Sequence, residues 1–177
     1  MMRCNATEAQ SLRSVERYPL AGGQWTETAP LPTACEYTYG TSLNAHLFVY
    51  CTRYNDPSSA YGLVKFHSPS STWTECASPS IVRGPNFGNL VAAAVRLYLI
   101  GGYYSSVMGI SDTLRGDVYD PDSDSWSLLT PSFPFYRQGL TNGAHATGVV
   151  LVQSSLYIIA GYECPTTCPP SHHAAHT

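Results

Sequence analysis

Metal-binding side chains crowd the end of the chain, where Cys164, Cys168, His172, His173 and His176 are the ligand types zinc prefers. A zinc site needs four such donors held on a turn or a helix. Here Pro165, Pro169 and Pro170 break up the stretch, and no large apolar residue anchors it. The expectation is a disordered Cys/Pro/His-rich tail over 164–177 with no metal. Asp120, Asp122 and Asp124 have the alternate spacing that opens a calcium loop. However, Ser125 stands where such a loop turns on glycine, and Pro131 where it closes on glutamate. An inter-strand turn, Asp120-Pro121-Asp122-Ser123-Asp124, accounts for the same residues. His46, His67 and His145 lie separately in or beside apparent strands, with no serine or cysteine motif marking a partner. No nucleophile elbow, phosphate loop, paired-histidine zinc motif or dinucleotide fingerprint occurs. These residues compose no catalytic set and call for no cofactor, so the expected function is not enzymatic.

Elements must then be found that position something other than a catalytic centre. The 177 residues suffice for one domain with a sizeable core. Tyrosine is over-represented, with 13 copies beside 14 Gly and 13 Pro, a mixture that suits short strands punctuated by tight turns. Net charge is −3 and Lys65 is the single lysine, which gives no electrostatic footprint for nucleic acid or an anionic membrane. The apolar runs at Leu90–Val95 and Val149–Val152 fall far short of the roughly 20 residues that span a bilayer. Met1 to Glu8 has no apolar region behind its charge, so no secretory signal is expected and a cytoplasmic location is. On that footing the Asn5-Ala6-Thr7 acceptor sequence carries little meaning. Cys4, Cys35, Cys51, Cys76, Cys164 and Cys168 are irregularly spaced and are read as free thiols, buried where they fall in strands, in a reducing compartment.

An internal repeat organises the chain. Trp25, Trp73 and Trp126 recur about every fifty residues, each seven positions after an aromatic: Tyr18, Phe66 and Tyr119. Each tryptophan leads within a few residues to a proline, Pro30, Pro79 or Pro131. A second motif repeats in phase: Leu97-Tyr98-Leu99-Ile100-Gly101-Gly102-Tyr103 is echoed by Leu156-Tyr157-Ile158-Ile159-Ala160-Gly161-Tyr162, and more weakly by Leu47-Phe48-Val49-Tyr50-Cys51-Thr52. Each unit reads as four short strands. The first, such as Gly148–Val152, turns through Gln153-Ser154-Ser155 into the motif strand; a third ends near Tyr119, and the fourth holds the tryptophan. Consecutive apolar residues in the second strand fit burial on both faces.

The di-glycine after the second strand, the Tyr119-Asp120-Pro121 turn and the following Trp126 resemble the Kelch repeat. The resemblance covers roughly residues 15–163, is strongest in the middle repeat, and weakens where Cys51-Thr52 replaces the glycines and where Ala160 replaces one of them. It implies an all-β, Kelch-type β-propeller, incomplete at about three four-stranded blades. A third and fourth strand lie over about 15–29, full repeats over about 35–79 and 84–131, and a first and second strand over about 144–161, behind an N-terminal segment 1–14. Propellers close with four to eight blades, so the chain is expected to be a truncated isoform, a fragment or part of a longer propeller.

Kelch propellers gather on one face the loops that join the second strand to the third and the fourth to the next blade. What the resemblance implies is therefore a protein-binding surface from Tyr54, Asn55, Arg83, Asn86, Tyr103, Tyr104, Met108, Phe135, Tyr136 and Arg137, rich in the types that dominate interface cores. The relatives the resemblance implies are the BTB–Kelch proteins, which present substrates to cullin ubiquitin ligases through a BTB domain absent from this chain. Actin binding is the second reading, and a non-functional truncated product the third. Copper-dependent sugar oxidases share the architecture, but their ligands come from several blades.

Overall fold

The computed structural model describes residues 12–35, 37–52, 62–79, 84–106, 109–112, 116–130 and 144–163. They form thirteen strands and four antiparallel sheets. Strands β1 (Glu16–Arg17) and β2 (Thr26–Glu27) make a two-stranded sheet. β3 (Tyr37–Leu43), β4 (His46–Thr52), β5 (Gly62–His67) and β6 (Thr72–Glu75) make a four-stranded meander. β7 (Gly84–Ala93), β8 (Arg96–Ser106), β10 (Gly116–Asp120) and β11 (Ser125–Leu128) repeat it, with β9 (Gly109–Asp112) added on β8. β12 (Ala144–Val152) and β13 (Ser155–Glu163) form the last pair. Two intact blades thus lie between a third-and-fourth-strand pair and a first-and-second-strand pair, the incomplete Kelch-type architecture expected from the repeat. The β1–β2 and β12–β13 pairs do not join one another.

Turn chemistry repeats with the blades. Leu43 pairs with His46 across Asn44-Ala45, whose φ angles are 50° and 60°, the left-handed pair a two-residue hairpin needs. Ala94 (52°) and Gln153 (54°) occupy the same place in the next two hairpins. Val152 pairs directly with Ser155, so the three-residue turn expected there tightens to Gln153-Ser154. Between third and fourth strands, Ser71 (51°) and Asp124 (46°) both sit two residues before the tryptophan.

Packing follows the pleat. Successive residues of a strand point to opposite faces, and both faces of β4 are covered. Phe48 and Tyr50 join Leu43, Leu63, Leu90, Leu97, Leu99 and Tyr119 in a core between the two intact blades. Val49 and Cys51 join Leu31, Cys35 and Val64 on the other face, beneath the segment arriving from β2. This is the two-sided burial that the consecutive apolar residues of the second strand foretold. β3 packs on β7, and β12 on β7 and β8, so the blades stack in sequence order.

The free-thiol expectation fails for two cysteines: Cys35 and Cys51 form a disulfide, with Cα atoms 5.6 Å apart. The hairpin explains it. Thr38 lies opposite Cys51 and Tyr37 opposite Thr52, so the strand entering β3 delivers Cys35 beside the end of β4. Among the described residues Cys76 is the free thiol.

Candidate interaction surface

The repeated aromatics are placed alike in every blade. Tyr18–Trp25, Phe66–Trp73 and Tyr119–Trp126 have ring centroids 5.3, 4.9 and 5.1 Å apart at interplanar angles of 43°, 44° and 46°. Phe66 and Trp73, like Tyr119 and Trp126, face each other across the third and fourth strands, so the seven-residue spacing is a hairpin register. Each indole then reaches backwards. Trp73 Nε1 donates to the Ala29 carbonyl at 2.8 Å, and Trp126 Nε1 to the Ala77 carbonyl at 2.6 Å. Each acceptor lies four residues past the preceding tryptophan, so one bond type staples the outer edge of each blade to the blade before it. Trp126→Phe keeps an aromatic ring against Tyr119 and removes the bond. Stability should fall by about 1 kcal/mol in urea unfolding, with Trp73→Phe matching it; no loss in either would refute the staple.

A second contact reinforces the same junction. Asp124 Oδ1 accepts from the Ala77 backbone N–H at 2.8 Å and from the Tyr119 hydroxyl at 2.7 Å. These two donors hold the Asp124 carboxyl below its ordinary pKa. Burial, with Cys76 and Asp124 as neighbours, pushes the Tyr119 hydroxyl far up. Burial also raises Cys76, whose thiol bonds the Tyr119 hydroxyl, so it is held as the weakly nucleophilic neutral thiol. Asp122 N–H closes on Asp120 Oδ1 at 3.0 Å, and the stretch Pro121–Asp124 is a turn, as the turn reading of the three aspartates has it. Among the described residues no three His, Cys, Asp or Glu side chains converge on a metal-sized space. His46 and His67, read as separate in the sequence, stand edge to face at 5.1 Å on adjacent strands, and His46 Nδ1–H donates to the Asn44 carbonyl at 2.8 Å. The Cys35–Cys51 disulfide and the Cys76 thiol line one small cavity with Leu31, Leu63 and Val64.

The topology separates the two ends of each blade. Second and fourth strands run parallel to one another, so the chain leaves both at the same end: Thr52 and Glu75 in one blade, Ser106 and Leu128 in the next. The tight turns at 44–45, 68–71, 94–95 and 121–124 occupy the opposite end. The Cys35–Cys51 disulfide sits at the first end and ties an incoming fourth-to-first connection to the exit of β4.

Of the residues expected to contact a partner, Tyr54, Asn55, Arg83, Met108, Phe135, Tyr136 and Arg137 lie outside the described residues, as does the tail with Cys164, Cys168, His172, His173 and His176. Tyr103 and Tyr104, expected in a loop, are on β8, opposite Asp112 and Ser111 of β9. The β-ribbon continues past the di-glycine because β8 and β9 pair there as a hairpin. Asn86, also expected in a loop, is on β7, between Gly84 and Gly88, where the ladder with β8 shifts register.

No family model matches the chain. Over 172 residues it is 27% identical to the Kelch repeat and BTB domain-containing protein 12 of Danio rerio, covering 85% of this chain and 25% of that protein. It is 28% identical over 123 residues to the Kelch-like protein 25 of Xenopus tropicalis, covering 68% of this chain and 19% of that one. The solved structure of YjhT superimposes with a TM-score of 0.61 at 13% identity, over 77% of this chain and 47% of that one. The chain therefore spans about a quarter or less of the curated relatives it matches.

Proposed function

Because this chain is built of Kelch-type repeats, we propose that it is a protein-interaction module, the substrate-recognition portion of a BTB–Kelch adaptor for a cullin ubiquitin ligase. The supporting observation is the division of labour in each blade. The repeat aromatics, the two buried faces of β4 and β8 and the tight turns are all spent on blade structure. The connections after second and fourth strands leave from one shared end, and their sequence carries Arg53, Arg83, Arg115 and Arg137 together with Tyr54, Tyr61, Phe133, Phe135 and Tyr136. A client protein is bound there, through anchors of the kind that carry interface energy. The BTB domain named in the Danio rerio relative suggests the other half of the adaptor. The reading involves no cofactor and no metal.

The test is purification of the endogenous polypeptide that contains this stretch, tagged within the turn at 121–124, with quantitation of cullin. Cullin should co-purify in near-stoichiometric amount. Its absence, with the tagged polypeptide folded and recovered, removes the ligase reading and leaves the binding module alone.

A further inference from the structure

The two intact blades hold equivalent cross-strand partners at their turn ends. Second and third strands pair Leu47 with Phe66 in the first blade and Leu97 with Tyr119 in the second. One step nearer the turns, the same register sets His46 beside His67 and Arg96 beside Asp120. The second blade fills this place with opposite charges: Arg96 Nη2 lies 3.5 Å from Asp120 Oδ2. The first blade fills it with two histidines, whose ring centroids are 5.1 Å apart at an interplanar angle of 83°. Cross-strand partners of opposite charge attract and partners of like charge repel. A second imidazole offers the first no opposite charge, so the attraction that serves the second blade does not account for the first.

What two imidazoles do share is affinity for a transition-metal ion. The local structure prepares His46 for that role. Asn44 sits in the left-handed hairpin turn, at a φ of 50°, and its carbonyl accepts a hydrogen bond from His46 Nδ1 at 2.8 Å. A carbonyl partner places the ring proton on Nδ1 and leaves the Nε2 lone pair for a ligand. Metal-bound histidines carry the same outer hydrogen bond, which fixes tautomer and ring orientation. No hydrogen bond to a described residue engages the His67 ring. Both histidines are partly exposed, so an ion reaches them from water and keeps water as its remaining ligands. Imidazole nitrogens bind zinc at about 2.0–2.1 Å, and two rings held at a tetrahedral angle then have centroids about 5 Å apart. The pair already stands at that separation.

We propose that His46 and His67 bind a divalent transition-metal ion of the zinc and copper kind, each through one ring nitrogen, with water completing the shell. Hard cations such as magnesium and calcium prefer oxygen donors and are not expected there. The bound ion fastens β4 to β5 beside the turns at 44–45 and 68–71, at the end opposite to the exits of the second and fourth strands. The proposal involves no client protein, so it stands or falls apart from the ligase reading.

The test takes the full 177-residue chain with its tail donors removed by Cys164→Ser, Cys168→Ser, His172→Gln, His173→Gln and His176→Gln, so that the tail does not compete for the ion. Zinc chloride should shift the ring resonances of His46 and His67 in NMR spectra. It should also raise the melting midpoint, as a ligand of the folded state does, and magnesium chloride should do neither. In calorimetric titration His67→Gln should weaken zinc binding at least about tenfold. His46→Arg with His67→Asp installs the charge pair of the second blade, and this variant should fold and lose the zinc response. Zinc that leaves both rings unshifted overturns the proposal. So does undiminished affinity in His67→Gln or in the charge-pair variant, since the ion would then be held elsewhere. Should His67→Gln fail to fold, the charge-pair variant and the ring resonances decide.

Discussion

Phe48→Ala should cost about 3–5 kcal/mol of unfolding free energy. Its ring is 2% exposed and sits in the core shared by the two intact blades. It meets Tyr119 of the following blade edge to face at a centroid distance of 6.2 Å, and Lys65 Nζ lies 5.9 Å from its centroid. Truncation therefore removes apolar burial and an aromatic contact across the blade junction, and leaves a void between two sheets that β-ladders hold apart. Leu63, Leu97 and Leu99 around it are also fully buried and cannot collapse inward without disturbing their own ladders. Urea unfolding followed by tryptophan fluorescence measures the loss. A change below about 1 kcal/mol would mean that the blade junction is not a packed core.

Breaking the Cys35–Cys51 disulfide should cost about 3 kcal/mol. The bond closes a loop across a sequence separation of 16 residues, and the loop entropy it removes from the unfolded chain corresponds to that figure. In a chain of this length the loss lowers the melting temperature by about 6–12 °C. Calorimetry of the oxidised protein with and without a reductant, alongside Cys35→Ala/Cys51→Ala, should give the same lowered midpoint, with no further effect of reductant on the double variant. Cys76→Ala serves as the control because its thiol is outside the bond. A midpoint indifferent to reductant would refute the stabilising role. In a reducing cytosol the pair would stand open, so the same measurement gives the stability available to the protein there.

Much of the fold was legible because the decisive contacts are local. An aromatic seven residues before each tryptophan is a cross-strand pair over a short turn, and a single sequence shows that spacing directly. The apolar second strands announced burial on two faces because neighbouring residues of a strand point opposite ways. What stayed hidden depended on register between distant segments or on backbone atoms. The disulfide follows from where β3 meets β4, and a separation of 16 is no motif. His46 and His67 meet only because β4 and β5 pair with Leu47 opposite Phe66. The staples were invisible because their acceptors are carbonyls, which any residue supplies. The ribbon of β8 and β9 looked like loop because Ser105, Ser106 and Gly109 carry no strand pattern.

The proposed interaction surface rests, at the level of sequence, on composition alone. Tyr103 and Tyr104 are on β8 and Asn86 on β7; the other expected residues fall in sequence between strands, where pattern is weakest, and the strands establish the end from which those connections leave. The direct measurement is photo-cross-linking in cells from two positions in the full polypeptide. One is Tyr103, on the ribbon at the end where second and fourth strands exit; the other is Gln153, in the tight turn at the opposite end. Adducts to a client protein should form from Tyr103 and not from Gln153. Adducts from Gln153 alone would put the partner on the turn end and contradict the binding surface proposed here.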